Sequence, residues 1–279
     1  MRYRPGGEPD FGRPVLARLR DGDPVLALGI RHARTADIAR MASGAGYDAI
    51  WIDLEHSAMP VDCAAQIAAT ATDLGLAAWV RVPEREHGVI GRLLDGGATG
   101  IIAPRIESEG EARRVADACR FAPRGERSQL ALLPQSGFVR LTNAELTRTS
   151  NEQVVVQMLI ESRRGVEQAD AIAAIDGVDL VAVGANDLSA DLGCPGDVDH
   201  PDMRAAFAAV AAAAGRQGKL AIVGGVGGGE RFRDLLAGGF APFIFAGIDT
   251  EIIADGLARR ASEWRDRAAE HSNRQELRS

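Results

Sequence analysis

The chain has 279 residues, of which 46% are hydrophobic and 25% charged, and its formal net charge is −7. This acidic balance argues against a nucleic-acid or anionic-membrane partner, because both select basic surfaces. No apolar run approaches the roughly 20 residues of a membrane span, and the polar N-terminus lacks a secretory signal. Three scattered cysteines argue against a disulfide framework. We therefore expect a cytoplasmic globular protein.

After a polar, turn-rich N-terminal tail at 1–23, short apolar segments alternate with Ala-rich segments of helical spacing. The predicted strands are 24–30, 47–53, 76–82, 99–104, 153–161, 177–184, 218–225 and 240–247. The predicted helices are 35–45, 61–74, 87–96, 108–120, 165–175, 201–216, 229–238 and 249–269. Apolar strands that are each followed by an amphipathic helix are typical of a parallel sheet covered on both faces.

Eight such units within 24–270 predict a single-domain α/β fold, the closed (β/α)8 TIM barrel. The alternative is an open doubly wound sheet, which usually has fewer strands. Residues 122–150 are too long for a plain loop, and we interpret them as a lid-like insertion with a short helix at 142–149. Residues 271–279 form a predicted C-terminal tail. The charged, helix-prone stretch before it is interpreted as a solvated helix, with a partner-binding helix as the alternative.

Charged residues follow several of the predicted strands. Active sites of (β/α)8 barrels lie at the C-terminal ends of the strands, so these residues are expected to share one mouth. They are Asp53, Glu55 and His56 after the second strand, Arg81 after the third, Glu161 after the fifth and Asp187 after the sixth. The other four strands are expected to end in glycine, proline or small residues.

Glu161 and Asp187 come from neighbouring strands and are predicted to face a shared space. Two carboxylates that close raise each other's pKa, and a bound divalent cation relieves the repulsion. Oxygen ligands favour Mg²⁺ or Mn²⁺, with Co²⁺ as a further alternative. Each residue also has a structural interpretation, because carboxylates commonly cap helix N-termini.

Asp53 and His56 lie three positions apart at one strand end, so the carboxylate is predicted to fix the imidazole tautomer and raise its basicity. Taken alone, a histidine such as His56 is more often structural than catalytic, and Arg81 is compatible with an ordinary ion pair. For Glu55 the alternatives are a position in the mouth or a contact with a helix end.

The sequence resembles the HpcH/HpaI aldolase family, metal-dependent pyruvate aldolases related to citrate lyase β. The motifs that carry the resemblance, in family order, are "YDAIWIDLEHSAM", "WVRVPE", "LLDGGATGIIAPRIESEGEA", "RFAPRGERS", "IESRRGVEQ", "GVDLVAVGANDLSADLG" and "GIDTEII". They lie within about 25–255. The resemblance implies a class II aldolase that acts on 4-hydroxy-2-oxo acids through a pyruvate-type enolate and an aldehyde. It also implies a homo-oligomer, a hexamer built as a trimer of dimers that exchange a C-terminal helix.

Position by position, the resemblance makes Glu161 and Asp187 the ligands of the divalent metal, which would also hold the 2-oxo acid. Arg81 would stabilise the enolate, and His56, oriented by Asp53, would act as acid and base. Backbone N–H groups near Gly184 and Ala185 would bind the substrate carboxylate at a helix start.

The sequence departs from the family pattern at three points. Leu159 replaces a glutamine, and the available amide is Gln157, one strand repeat earlier on the same face, which is a candidate substrate contact. Ala185 replaces a proline, and the lid region is less polar. The alternatives are therefore a lyase for acyl-CoA thioesters and a barrel that binds a 2-oxo acid without turnover. The glycine-rich loop 224–230 is compatible with a phosphate cradle or a tight turn.

Overall fold

The computed structural model of the chain describes residues 13–227 and 229–276. The strands are β1 Val25–Ile30, β2 Ala49–Asp53, β3 Ala77–Arg81, β4 Gly100–Ala103, β5 Val155–Ile160, β6 Leu180–Gly184, β7 Leu220–Gly224 and β8 Phe243–Ile248. The helices are α1 Arg13–Asp21, α2 Asp37–Gly44, α3 Val61–Asp73, α4 Ile90–Asp95, α5 Glu109–Cys119, α6 Asn143–Gln153, α7 Arg163–Glu167, α8 Ala169–Ala173, α9 Ala185–Asp191, α10 Pro201–Arg216, α11 Glu230–Ala237 and α12 Asp249–Glu276. None of the helices in the described ranges is both long and apolar enough to cross a membrane.

The eight strands form one parallel sheet in the order β7-β6-β5-β4-β3-β2-β1-β8. The sheet curls until β7 and β8 approach each other, where the Ala241 N–H donates to the Ala221 carbonyl at 2.7 Å. The predicted (β/α)8 barrel is therefore confirmed.

The side chains divide into two apolar clusters, as the alternation of residues along a strand requires. One cluster lies between the outer face of the strands and the surrounding helices. The other fills the barrel interior and includes Trp51, Trp79, Leu159 and Phe243. The interior cluster is packed to the bottom of the barrel, so the space for a ligand lies near the top.

Two chain ends differ from the prediction. Residues 13–21, expected in the tail, form α1, whose Val15, Leu16 and Leu19 are buried in the interior cluster. The helix was missed because it is short and otherwise polar, with only three core-facing side chains. Residues 1–12 lie outside the described part of the chain. At the other end, α12 continues to Glu276, beyond the predicted boundary at 270, and residues 277–279 lie outside the description.

The inserted segment 122–150 contains a 3₁₀ turn and the start of α6. Helix α6 begins one residue after the start of the predicted helix 142–149, with a capping box between Thr142 and Glu145. The Gln135 amide donates to the carbonyls of Leu94 and Ala98 at 2.6 and 3.0 Å, just before β4 begins. This contact lies at the bottom of the barrel. Within a single chain the segment therefore lies away from the strand C-terminal ends, and the lid-like position is corrected.

Gly29 on β1 makes space for the indole of Trp51 on β2, its register partner. A Cβ at position 29 would lie 2.7 Å from Trp51 Cζ2, closer than two carbons can approach without movement. The glycine is thus required by a neighbouring side chain that helps to form the ligand cavity.

Gly29→Ala should lower the free energy of unfolding by about 1–3 kcal/mol, because it overpacks the barrel interior. Gly91→Ala is the matched control, since position 91 is in helix α4 and has open space around it. That control should raise stability by about 0.5–1 kcal/mol. Urea denaturation followed by circular dichroism measures both. Equal stability of G29A and the wild type would contradict the packing argument.

Candidate active site

A cavity of about 510 Å³ opens at the C-terminal ends of the strands. Its upper wall is polar and includes Arg31, His56, Arg81, Glu161, Asn186 and Asp187. Its lower part reaches into the barrel and is mostly apolar, with Trp51, Ile102, Leu159, Ala182 and Phe245. Charged groups at the top and apolar groups below suit a small anionic molecule with a compact carbon skeleton.

Two carboxylates from neighbouring strand ends line this cavity. Glu161 directly follows β5 and is 4% exposed, and Asp187 lies in the first turn of α9, directly after β6. Gly184 leaves space for Glu161, since a Cβ there would lie 2.7 Å from Glu161 Oε2. Oε1 accepts the Arg105 N–H at 2.8 Å, and Oε2 has no hydrogen-bond donor within the described chain.

Burial above all, together with the charges of Glu55 and Asp187, raises the pKa of Glu161 to about 7, although the Arg105 N–H and the charge of Arg81 act to lower it. A divalent cation would stabilise such a group of carboxylates, and the oxygen donors fit Mg²⁺ or Mn²⁺. Within the described residues, no three His, Cys, Asp or Glu side chains form a metal-binding group by themselves. A cation on this pair would therefore keep positions for substrate and water.

A buried ion cluster stands on the opposite wall. Asp53 is fully buried and accepts Arg81 Nε at 2.9 Å on Oδ1 and Arg81 Nη2 at 2.6 Å on Oδ2. Arg31 Nε donates to Oδ2 at 2.6 Å, and the backbone N–H groups of Glu55 and His56 donate to Oδ1. Burial would raise the pKa of Asp53, but Arg81 and then Arg31 outweigh it and hold that pKa below its usual value. Asp53 is therefore a charged anchor for both arginines.

The predicted contact between Asp53 and the His56 imidazole is replaced by another arrangement. Asp53 meets only the backbone of His56 in the described contacts, because the two arginines occupy its oxygens. The half-exposed imidazole has its Nε2 3.7 Å from Glu55 Oε2, and this oxygen lies 2.9 Å from Arg81 Nη1. Burial raises the pKa of Glu55. Glu55 thus connects Arg81 with His56.

The predicted substrate contacts lie at two depths. Gly184 and Ala185 line the cavity where α9 begins, and no side chain caps that helix start. Gln157 lies deeper on β5, below Leu159, and is 2% exposed with its Oε1 lacking a hydrogen-bond partner among the described residues. The apolar Leu159 therefore stands between the amide and Glu161.

The sequence profile of the HpcH/HpaI aldolase/citrate lyase family matches residues 31–255. The chain belongs to this family. A 4-hydroxy-4-methyl-2-oxoglutarate aldolase of Hapsidospora irregularis is 39% identical over 87% of this chain and 91% of its own. A hydroxypyruvate/pyruvate aldolase of Paraburkholderia phytofirmans is 36% identical over 75% of this chain and 81% of its own. The crystal structure of an HpcH/HpaI aldolase from Desulfitobacterium hafniense has a TM-score of 0.82 at 27% identity, covering 89% of this chain and 95% of that one.

These likenesses decide between the activities considered from the sequence. The present chain is a carbon–carbon lyase, a class II aldolase that joins or separates a pyruvate-type enolate and an aldehyde. Members of the family generally depend on a divalent metal ion.

Three residues near the aldolase site had no predicted role. Arg31 follows the last residue of β1 directly, which corrects the expectation that this strand ends in small residues. Asp249 follows β8, and its carboxylate accepts the N–H groups of residues 31–33 at 2.7–3.1 Å. Trp51 packs against both arginines, with the Arg31 and Arg81 guanidinium carbons 5.8 and 5.3 Å from its ring centroid. Reading one residue beyond the predicted first strand and two beyond the predicted eighth would have found the two charged residues.

The raised pKa of Glu161 predicts how the stability of the metal-free aldolase depends on pH. The folded chain keeps this proton up to about 7, whereas an unfolded glutamate releases it near 4.5. Since the folded state binds more protons in that window, the free energy of unfolding should fall as pH rises through it, by on the order of 3 kcal/mol. In Glu161→Gln this contribution should be absent. Urea denaturation in EDTA across the window compares the two proteins, and identical pH slopes would contradict the assignment.

Proposed function

We propose that the aldolase holds a divalent metal ion on Glu161 and Asp187 and uses a pyruvate-type 2-oxo acid as donor. The observation that carries the proposal is the convergence of the buried Glu161 and the exposed Asp187 with Arg81 at one cavity. The metal, Mg²⁺ or Mn²⁺ with Co²⁺ as a further alternative, would supply Lewis-acid stabilisation of negative charge on the donor.

Arg81 stabilises the enolate that forms when the donor loses a C3 proton. Burial lowers the pKa of Arg81, but Asp53 and Glu55 more than offset this and raise it above its usual value, so the guanidinium stays charged. Its bidentate bond to Asp53 fixes its plane. A positive charge that is already in place where charge develops lowers the barrier without reorganisation.

His56 moves the proton, directly or through a water. In the cleavage direction it accepts the proton of the C4 hydroxyl, the C3–C4 bond breaks, and the electron pair passes into the enolate. Its exposed position at the mouth and its contact with Glu55 support this role. Asp53 contributes as a positioning residue, through Arg81 and through the backbone of His56.

The donor carboxylate is bound by the backbone N–H groups at Gly184 and Ala185, where helix α9 starts. Gln157 supplies a polar atom deeper in the cavity. The relatives are named as aldolases for 4-hydroxy-4-methyl-2-oxoglutarate and for hydroxypyruvate or pyruvate. These names support a small 2-oxo acid as the donor and an aldehyde or keto compound as the acceptor. Cys63, Cys119 and Cys194 are unpaired, which is consistent with a reducing cytoplasm.

Metal-loaded protein should exchange the methyl protons of pyruvate for deuterium in D₂O, measured by ¹H NMR, and EDTA should stop the exchange. Glu161→Gln and Asp187→Asn should each lower Mn²⁺ affinity by more than about 100-fold, since even outer-sphere changes cost 10–100-fold. Titration calorimetry measures this.

Asp191→Asn is the matched control, because Asp191 is on the same helix α9 but outside the cavity, where it accepts the Arg163 N–H. It should keep both metal affinity and exchange. Exchange that persists in EDTA, or full metal affinity in either ligand variant, would overturn the proposed site.

We further propose that the aldolase is a homo-oligomer, a hexamer built as a trimer of dimers, as the family resemblance implies. Helix α12 carries an exposed apolar stripe of Ile253, Leu257 and Trp264, which are 46%, 66% and 62% exposed. These positions share one helix face by their spacing. Large apolar side chains exposed along one helix face favour burial against a second copy of the chain.

Leu257→Asp should therefore reduce the mass measured by light scattering after size-exclusion chromatography, since a charge buried in an apolar interface is costly. Ala258→Asp introduces the same carboxylate at an exposed position on another side of α12 and should leave the mass unchanged. A wild-type protein that elutes as a monomer at micromolar concentration would refute the oligomer.

A further inference from the structure

Arg31 is an arginine of the cavity wall whose terminal amino groups have no acceptor in the described chain. Only its Nε is engaged, by Asp53. Arg81 differs, because its Nε and Nη2 bond Asp53 and its Nη1 faces Glu55. A guanidinium has hydrogen-bond donors on all three nitrogens in a fixed fork, so Arg31 offers one edge of that fork to the cavity.

This guanidinium is held in place before any ligand binds. The Arg31 backbone N–H donates to Asp249 at 2.9 Å, which ties the end of β1 to the start of α12. The side chain is 30% exposed and lies against the Trp51 ring. A donor group fixed by its backbone, its Nε and an aromatic face loses little conformational entropy when it binds an anion.

We propose that Arg31 is the residue that recognises a carboxylate on the acceptor, and that it thereby selects oxo-acid acceptors over aldehydes that lack a carboxylate. The inference rests on the proposed function, in which Arg81 and the Glu161–Asp187 pair serve the donor. In the addition step, donor C3 bonds to the acceptor carbonyl carbon and the carbonyl oxygen takes a proton. An unreacting carboxylate on the acceptor then needs a separate cation, and a planar fork suits it.

The charges around Arg31 are compatible with this role. Glu251, from the adjacent start of α12, lines the same cavity and is exposed. Solvent screens a carboxylate in that position. Glu55 lies beside Arg81, and Asp53 is bonded by both guanidiniums, so the free edge of the Arg31 fork is the favourable side of the cavity for a second anion.

The test compares two acceptors of equal carbon number, glyoxylate with a carboxylate and glycolaldehyde without one, in aldol addition to pyruvate. Arg31→Gln should lower kcat/KM for glyoxylate on the order of 10- to 100-fold, the range expected for a hydrogen-bonded charge. For glycolaldehyde the loss should stay below about 3-fold. Arg31→Lys should lose on the order of 3- to 10-fold with glyoxylate, because it keeps the charge without the fork.

Arg40→Gln is the control, an exposed arginine of α2 that pairs with Asp37 outside the cavity. This substitution should leave kcat/KM unchanged for both glyoxylate and glycolaldehyde. Equal losses for both acceptors in R31Q would overturn the proposal and make Arg31 a positioning residue for Asp53. If R31Q does not fold, an R31K protein with unchanged glyoxylate preference overturns it instead.

Methyl exchange of pyruvate in D₂O separates the two levels of inference. Wild-type protein without metal-dependent exchange refutes the proposed function. Wild-type protein that exchanges but does not favour glyoxylate over glycolaldehyde refutes only the acceptor role of Arg31. Exchange retained in R31Q, together with a selective loss on glyoxylate, supports both.

Discussion

The site depends on one carboxylate without solvent contact, Asp53, held between two guanidiniums. A buried charge is costly unless it is paired and hydrogen-bonded, and Asp53 meets that condition through Arg81, Arg31 and two backbone N–H groups. The register of the barrel makes the pairing possible, because Asp53 on β2 stands directly opposite Arg81 on β3. Asp53 thus holds both guanidiniums at the cavity wall, Arg81 through two hydrogen bonds and Arg31 through one.

The two walls of the cavity carry opposite imbalances of charge. Around Asp53, Arg81 and Arg31 hold the pKa of the buried carboxylate below its usual value and the terminal amino groups of Arg31 are left without an acceptor in the described chain, whereas Glu161 lies among carboxylates with too little positive charge to hold its pKa at the usual value. A cation is therefore attracted to one wall and an anion to the other. Under the proposed function, a 2-oxo acid between the two walls would place its oxygens toward Glu161 and Asp187 and its developing enolate charge toward Arg81. The fold thus establishes the polarity of the site before any ligand arrives.

The sequence predicted those features that depend on local pattern. Apolar strands and helical spacing sufficed for the barrel, and the residues at strand ends sufficed to bring Glu161, Asp187 and Arg81 to one cavity. The missed features depend on contacts between strands that are far apart in the sequence but neighbours in the sheet. Arg31 and Asp249 meet across β1 and β8, and no spacing within either segment reports that contact. The Asp53–His56 contact was wrong for a related reason, since proximity in sequence takes no account of a stronger competitor from the next strand.

The apolar floor of the cavity explains why recognition shifts to its walls. Leu159 occupies the position below Glu161, and Trp51 fills the space that Gly29 leaves open. Neither side chain offers an accessible polar group to a ligand directly above it, so the floor constrains the shape of the donor and little else. Apart from the Gln157 amide below Leu159, polar discrimination must then come from groups fixed at the rim. Because Trp51 also supports both guanidiniums, the residue that makes the floor apolar is the same one that holds the charged wall in position.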